Sequence, residues 1–388
     1  MLSERFLFSQ DTINQLQLVY GKDTPEVIKK LKLPSSHYCI RVNTLKADPE
    51  EVVKELREKG VNANRHPNLR EIIFLPVEGP LPIPNLSSKV VVYKQTAEAV
   101  LLGAHVYAPG IKKCTGLRKD TEVLITDIYD QAVGAGITRM TETEILTQRS
   151  GLAIEVTHPK YLAPSIRESS EFKEGIIYSQ SFPAIITSRV LDPQPEDTVV
   201  DLTCAPGGKI SHLSQLMENR GIIIGVDRNQ SKIAATKETL TRLWCKNIKL
   251  LQSDSRYLDL DYPSIKADKC LVDPPCSALG VMPKLYDGTK NAEIQALSEY
   301  QRQFIKVASK IVRVGGIIVY SVCTVTIAEC ENLVKFAVEN CDVEVDEQPI
   351  FYGSPGLDRI FLEARFTQRF HPHIHKAGYF IARFKKVG

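Results

Sequence analysis

From Thr198 onward the chain repeats one pattern: a short apolar run, a polar or glycine-rich break, then a longer mixed stretch. The apolar runs occupy residues 198–203, 221–227, 248–252, 269–272 and 316–321. Their lengths suit strands, and the stretches 209–217, 230–244 and around 298–312 read as helices. Strands that alternate with helices leave few arrangements open. A parallel pair needs a crossover, and the crossover helices cover both faces of the sheet. A doubly wound α/β sheet is therefore expected. Such sheets bind ligands outside the carboxyl ends of their strands. That singles out the residues just after each run: Thr203-Cys204-Ala205-Pro206-Gly207-Gly208-Lys209, Asp227, Asp254, Asp273-Pro274-Pro275-Cys276, and Cys323.

At 388 residues the chain is longer than a usual single domain. Residues 1–88 mix helical and extended patterns and are expected to form an α+β domain, with which 167–180 can be counted. A strand over 39–46 precedes a helix over 48–60, where Pro49 lies at the start, Val52, Val53 and Leu56 share a face, and Gly60 ends the run. The proline-rich residues 76–84 read as a linker. Residues 89–166 carry short β-type runs at 90–93, 122–125 and 132–137, with one short helix at 97–102, and predict a compact β-barrel-like module. The alternating region, 181–388, forms the third domain.

Nine scattered cysteines without a CxxC pair argue for a reducing cytoplasm rather than a disulfide framework. No apolar run approaches the ~18 residues of a membrane helix, and the first residues lack the order of a secretory signal. Net charge is only +3, so any nucleic-acid contact must rest on local patches.

The turn Pro206-Gly207-Gly208 lets backbone approach a ligand between a strand and a helix N-terminus. Asp227 closes the next strand, 20 residues beyond Gly207, about where an acidic residue meets ribose hydroxyls in dinucleotide-type folds. The turn matches neither GxGxxG nor GxxxxGK[ST]. A nucleotide fold or a plain tight turn stays open, but a phosphate-free cofactor such as S-adenosylmethionine fits best. Asp254 would meet an adenine edge or hold a loop.

Asp273-Pro274-Pro275 makes a rigid loop whose carboxylate can accept from an exocyclic amine. Cys276 follows it, where an aromatic would serve a nucleophilic amino nitrogen. A thiol suits another reaction. Carbon 5 of cytosine becomes nucleophilic only after a thiolate adds to carbon 6, and a base must later remove the carbon-5 proton. Lys209 or a helix N-terminus would lower the thiol's pKa. Chemistry alone does not rank Cys276 against Cys323. Cys204, Cys245, Cys270, Cys330 and Cys341 read as small buried hydrophobes.

These motifs resemble the Sun family of RNA cytosine-C5 methyltransferases. The match runs from Arg41-Val42-Asn43-Thr44-Leu45-Lys46 through the motifs above and Tyr320-Ser321-Val322-Cys323-Thr324 to Gly378-Tyr379-Phe380-Ile381-Ala382, nearly the whole chain. The resemblance implies a Rossmann-like S-adenosylmethionine-dependent sheet. It implies that Cys323 attacks, that Cys276 helps release the product, and that Asp273 and Lys209 join them. Thr203 to Lys209, Asp227, Lys232, Asp254 and Asp273 would line the cofactor and base pocket. The family usually has Thr before the nucleophile, and here stands Val322.

Residues 97–111 and 133–136 resemble a PUA domain, a small RNA-binding barrel. A PUA domain ahead of the catalytic sheet marks the sixth Sun-family type. That implies a monomer acting on tRNA at cytosine 72 of the acceptor stem, with the PUA domain holding the CCA end. Single-stranded ends suit recognition by stacking, and the target base must leave its stack. A ribosomal-RNA methyltransferase of the same family, or a non-catalytic RNA-binding scaffold, are the alternatives.

Lys112, Lys113, Arg118 and Lys119 offer a basic patch in the middle module. Arg359, Arg365, Arg369, Lys376, Arg383, Lys385 and Lys386 outnumber Asp358 and Glu363 from residue 358 onward. Either set can serve RNA or be a solvated face. His371, His373 and His375 alternate, so a strand would place them on one side, as a polar RNA-facing edge rather than a metal site.

Overall fold

A computed structural model describes residues 2–388, arranged around three sheets. The first has four antiparallel strands in the order Ile177–Ser179, His37–Val42, Ile72–Pro76, Asn64–Arg65. The segment beyond the middle module thus returns to pair with His37–Val42. That strand stops at Val42 instead of reaching residue 46. Asn43 turns the chain there, its amide donating to the carbonyls of Gly175 (3.1 Å) and Leu243 (2.8 Å). The helix Pro49–Glu58 is capped by Asp48, which accepts from the Glu50 amide, and it buries Val52, Val53 and Leu56.

The helices Leu2–Phe6, Gln10–Tyr20 and Thr24–Leu31 pack elsewhere. Phe6, Phe8, Ile13, Leu16 and Val27 share a core with Leu279, Ile294, Val325 and Ala328. The start of the chain therefore supports the loops that follow Cys276 and Cys323.

The second sheet has six strands in the order Val106–Tyr107, Leu152–Pro159, Ala132–Thr138, Glu122–Thr126, Lys89–Val92, Ile111–Lys113. The helix Lys94–Val100 adds Ala97 and Val100 to its core. Between the first two sheets, residues 77–88 hold no helix or strand beyond one bridge, Glu78 with Leu162.

The third sheet is the alternating region. Its strands are β1 (Thr198–Asp201), β2 (Ile222–Asp227), β3 (Ile248–Gln252), β4 (Ala267–Val272), β5 (Val312–Val322), β6 (Val343–Val345), β7 (Ser354–Pro355), β8 (Gln368–Phe370) and β9 (Tyr379–Lys386). The order is β3-β2-β1-β4-β5-β9-β8-β7, with β6 beside β9. Strands β1 to β5 are parallel and β9 is antiparallel to β5. Crossovers reverse direction between β1 and β4, where doubly wound sheets open a binding crevice. The two faces bury different residues, as a period of two requires. Val200, Val226, Cys270, Tyr320 and Val322 pack on Phe304, Ile305 and Ala308 of the helix Asn291–Ile311. Val199, Ile223, Leu271 and Val319 pack on Ile185, Ile210 and Leu213 of the helices Phe182–Leu191 and Gly208–Leu216.

Two expectations near the end of the chain are corrected. His371 to His375 do not form a strand: Pro372 starts a short helix, Pro372–His375, and the His371 amide donates to His375 Nδ1 at 2.8 Å. Nor is the basic stretch free for RNA throughout. Arg369 is buried against Glu331, Arg383 pairs with Asp346 at 2.7 Å, and Lys386 pairs with Asp342 at 3.1 Å. Residue counts see the charges but not these partners. Among the described residues no helix is long and apolar enough to cross a membrane.

Candidate active site

The Gly-rich turn follows β1, and the Asp-Pro-Pro-Cys loop follows β4, so both leave adjacent strands at the switch point. Gly207 has φ +106°, a left-handed conformation that favours glycine. It places Gly208 and Lys209 in the first turn of the helix Gly208–Leu216. Cys204 is buried, and burial raises its thiol pKa, so it serves packing.

Lys209 Nζ donates to Asp273 Oδ2 at 2.7 Å. Ser321 Oγ donates to Asp273 Oδ1 at 2.6 Å, Tyr379 OH donates to the same oxygen at 3.2 Å, and the Asp273 amide donates to Thr203 Oγ1 at 3.2 Å. Burial works against the Lys209 ammonium, but Asp273 and Tyr379 beside it hold its pKa above the ordinary lysine range. Lys209 is thus a fixed cation.

Cys276 and Cys323 come from the ends of β4 and β5, and their Sγ atoms lie 3.4 Å apart. The hydrogen bond with Cys276 lowers the Cys323 thiol below its usual value; Lys209 lowers it further, against burial and Asp273. Cys276 is raised well above its usual value by that same hydrogen bond, by burial, by the charge on Cys323 and, after these, by Glu329. Val322, between Ser321 and Cys323 on the strand, points to the other face and sits in the core. A threonine there would also face away from the thiol. The hydroxyls that serve the site come from Ser321 and Thr324.

Carboxylates mark the ends of the three strands on one side of the switch point. Asp201 ends β1, Asp227 ends β2, and Asp254 follows β3. Asp227 accepts from the Asn229 amide at 2.9 Å and stays half-exposed. Asp254 is gripped by Arg256, with Nη2 to Oδ2 at 2.5 Å, so it holds its loop. Lys232 stands exposed in the first turn of the helix Gln230–Arg242. A set of carboxylate acceptors suits the hydroxyls and amino group of a phosphate-free nucleoside and disfavours phosphate.

Asp201 was not among the sequence candidates. It is almost fully buried and accepts from the Thr203 amide at 3.0 Å, and burial pushes its carboxyl up to about 7. The available signal was an acidic residue ending an apolar run just before the Gly-rich turn. Ser321 and Tyr379 lie in the motifs that carry the family resemblance, which by itself gives them no role. Tyr379 begins β9, which reaches the site only because it pairs beside β5.

An open cleft of about 680 Å³ leads to Cys323. Tyr38 and Phe74 line it from the first sheet, Leu102 from the middle module, and Phe182, Met282 and Tyr379 from the catalytic part. At its floor Gly280 donates to the Cys323 carbonyl at 3.0 Å, and Gly378 donates to the Gly280 carbonyl at 2.9 Å. A Cβ on Gly280 would overlap the Gly378 carbonyl, so these loops meet backbone to backbone.

Comparisons with known proteins show the family. The family model described as 16S rRNA methyltransferase RsmB/F matches residues 188–385. A PUA domain model matches residues 88–160, and a RsmF/B-like ferredoxin-like domain model matches residues 11–82. The tRNA (cytosine(72)-C(5))-methyltransferase of Pyrococcus horikoshii is 42% identical over 95% of this chain and 94% of its own length. The tRNA (cytosine(72)-C(5))-methyltransferase NSUN6 of Homo sapiens is 30% identical over 89% of this chain and 82% of its own. The crystal structure of NSun6 from Pyrococcus horikoshii with SFG superposes with a TM-score of 0.90, at 41% identity and 99% coverage of both chains. With a family model spanning the catalytic sheet and relatives aligned through all three sheets, the chain belongs to the Sun family of RNA cytosine-C5 methyltransferases.

Proposed function

We propose that this chain methylates tRNA at cytosine 72 of the acceptor stem, forming 5-methylcytidine with S-adenosylmethionine as methyl donor, and that it acts as a cytoplasmic monomer. The observation that carries the chemistry is the pair of thiols 3.4 Å apart beside Asp273 and Lys209. The tRNA target is supported by the relatives that share the whole length of the chain, the PUA-type region included.

Thr203 to Lys209, Asp227 and Lys232 would hold the cofactor, with Asp201 fixing the turn through the Thr203 amide and Asp254 fixing its loop through Arg256. Bound there, S-adenosylmethionine supplies an electrophilic methyl group. The chain's own residues do the rest. Asp273 accepts three side-chain hydrogen bonds. A carboxylate has about four acceptor positions, which leaves about one for the exocyclic amine of cytosine. Cys323 thiolate forms a bond to carbon 6, and the ring electrons move to carbon 5, which takes the methyl group. A base then removes the carbon-5 proton, that electron pair restores the ring double bond, and the carbon–sulfur bond breaks. Cys276 beside the departing sulfur assists release, its S–H stabilising the thiolate that leaves.

The wide cleft between the three sheets suits an extruded base with its flanking nucleotides. The PUA-type module then holds the CCA end. Bisulfite sequencing of tRNA treated with the pure protein and S-adenosylmethionine tests this reading. Protection of cytosine 72, lost when the CCA end is removed, is the expected result. Protection only in ribosomal RNA fragments would overturn it.

A further inference from the structure

Glu329 is fully buried, and the five groups within hydrogen-bond distance of its carboxylate are all neutral. Its Oε1 accepts from the Ser277 amide at 2.8 Å and from Gln301 Nε2 at 3.0 Å. Its Oε2 accepts from Ser277 Oγ at 2.5 Å, Thr326 Oγ1 at 2.9 Å and Thr324 Oγ1 at 3.3 Å. Ser277 follows Cys276, and Thr324 follows Cys323. Their hydroxyls also meet each other at 2.7 Å. Gln301, from the helix Asn291–Ile311, extends the brace by donating to the Pro275 carbonyl at 2.9 Å. One carboxylate therefore grips the residues next to both thiols.

We propose that Glu329 is a positioning residue that sets the contact between the two thiols and keeps their shared proton on Cys276, leaving Cys323 as the thiolate. A buried charge without a cation is costly to keep, and hydrogen bonds from fixed donors offset that cost. Glu329 holds Ser277, next to Cys276, at 2.8 and 2.5 Å and Thr324, next to Cys323, only at 3.3 Å, and a negative charge disfavours a second one close by. Cys276 thus stays an S–H and donates to Cys323, and a donor stabilises the ionised partner. Glu329 raises Cys276, while Lys209 acts in the lowering direction on Cys323. The hydrogen bond between the thiols is the largest cause of their difference; Glu329 adds to it at Cys276, and at Cys323 Lys209 works against Asp273. The inference rests on the reading that Cys323 is the nucleophile.

The test labels the full-length protein with iodoacetamide across a pH series and reads each cysteine by peptide mass spectrometry. In the wild type, Cys323 labels ahead of Cys276, and Cys276 labelling ahead of Cys323 overturns the proposal without any variant. Glu329→Gln keeps the shape and removes the charge. It raises the Cys276-to-Cys323 labelling ratio by roughly tenfold, the effect of about one pKa unit. Ser277→Ala removes the bridging hydroxyl and keeps the charge, so the labelling order persists. An unchanged ratio in Glu329→Gln, or an equal change in Ser277→Ala, overturns the proposal. Methyl transfer that survives Cys323→Ser overturns the nucleophile assignment alone, because labelling reads the thiols without turnover.

Discussion

The guanidinium of Arg41 donates to the carbonyl of Gly208 at 2.8 Å, joining a strand of the first sheet to the glycine turn of the catalytic sheet. The same side chain donates to Gln180 Oε1 at 2.6 Å and Ser211 Oγ at 2.8 Å, and it is almost fully buried. Asn43 and Lys46, from the same motif, hold carbonyls at the end of the helix Gln230–Arg242 and beside it. The first sheet is thus part of the scaffold of the Gly-rich turn, besides lining the cleft.

Arg41→Met is expected to lose these bonds and leave the Gln180 amide oxygen without this partner, while the Gly208 carbonyl keeps Ser211 Oγ at 3.0 Å. Leaving a buried acceptor without its partner costs about 1–3 kcal/mol. Calorimetry should show weaker S-adenosylmethionine binding, and Arg41→Lys should rescue only part of it, because one ammonium cannot reproduce the fork. Undiminished binding by Arg41→Met would contradict this account of the turn.

Cys323→Ser is expected to lower methyl transfer by at least about a thousandfold, since an alcohol at this site has no comparable nucleophile to offer. Cys276→Ala should still add to carbon 6 but fail to release. Its signature is a slow-migrating protein–RNA band on a denaturing gel, absent from the double variant.

Asp201 makes stability depend on pH. Burial raises its carboxyl from the ordinary 3.8 to about 7. A raised folded-state value means that its contribution is fully present below about pH 4 and is lost as pH rises through about 7. Asp201→Asn keeps an acceptor for the Thr203 amide and does not titrate. Its melting temperature should gain on the wild type between those two pH values and level off above them. Roughly 4 kcal/mol is the ceiling of the effect. Parallel melting curves across this range would rule it out.

Arg369 and Glu331 form a buried pair, Nη2 to Oε2 at 2.5 Å, and Arg369 also donates to the Val325 carbonyl at 2.9 Å, two residues beyond Cys323. Arg369→Met leaves a buried carboxylate without its partner, at a cost of about 3–5 kcal/mol. Denaturant unfolding should register that loss. The double change Arg369→Met with Glu331→Leu should recover most of it.

Much of the catalytic sheet was legible along the chain. The strand at 248–252 was read with its observed ends, and the helix after Asp48 within two residues of its end, because apolar period and capping residues are local. The three histidines were misread for an equally local reason. Alternation fits a strand, but Pro372 fixes its own backbone at the first turn of a helix. Arg369 was misread for a distant one. In the sequence it belongs to a charged stretch, and in the structure its partner Glu331 stands 38 residues away.

By itself, then, the sequence determined that strands and helices alternate, that a glycine turn, acidic residues and two cysteines end those strands, and which family they resemble. Those features follow from side-chain period and backbone freedom, which act over a few residues. Only the tertiary structure decided that the thiols meet, that Lys209 reaches Asp273 beside them, that Glu329 holds the residue next to each, that Val322 faces the core, and that Arg41 braces the Gly-rich turn. Hydrogen bonds and short-range Coulomb forces depend on distances of a few ångströms, and only folding brings residues so far apart in the chain to those distances.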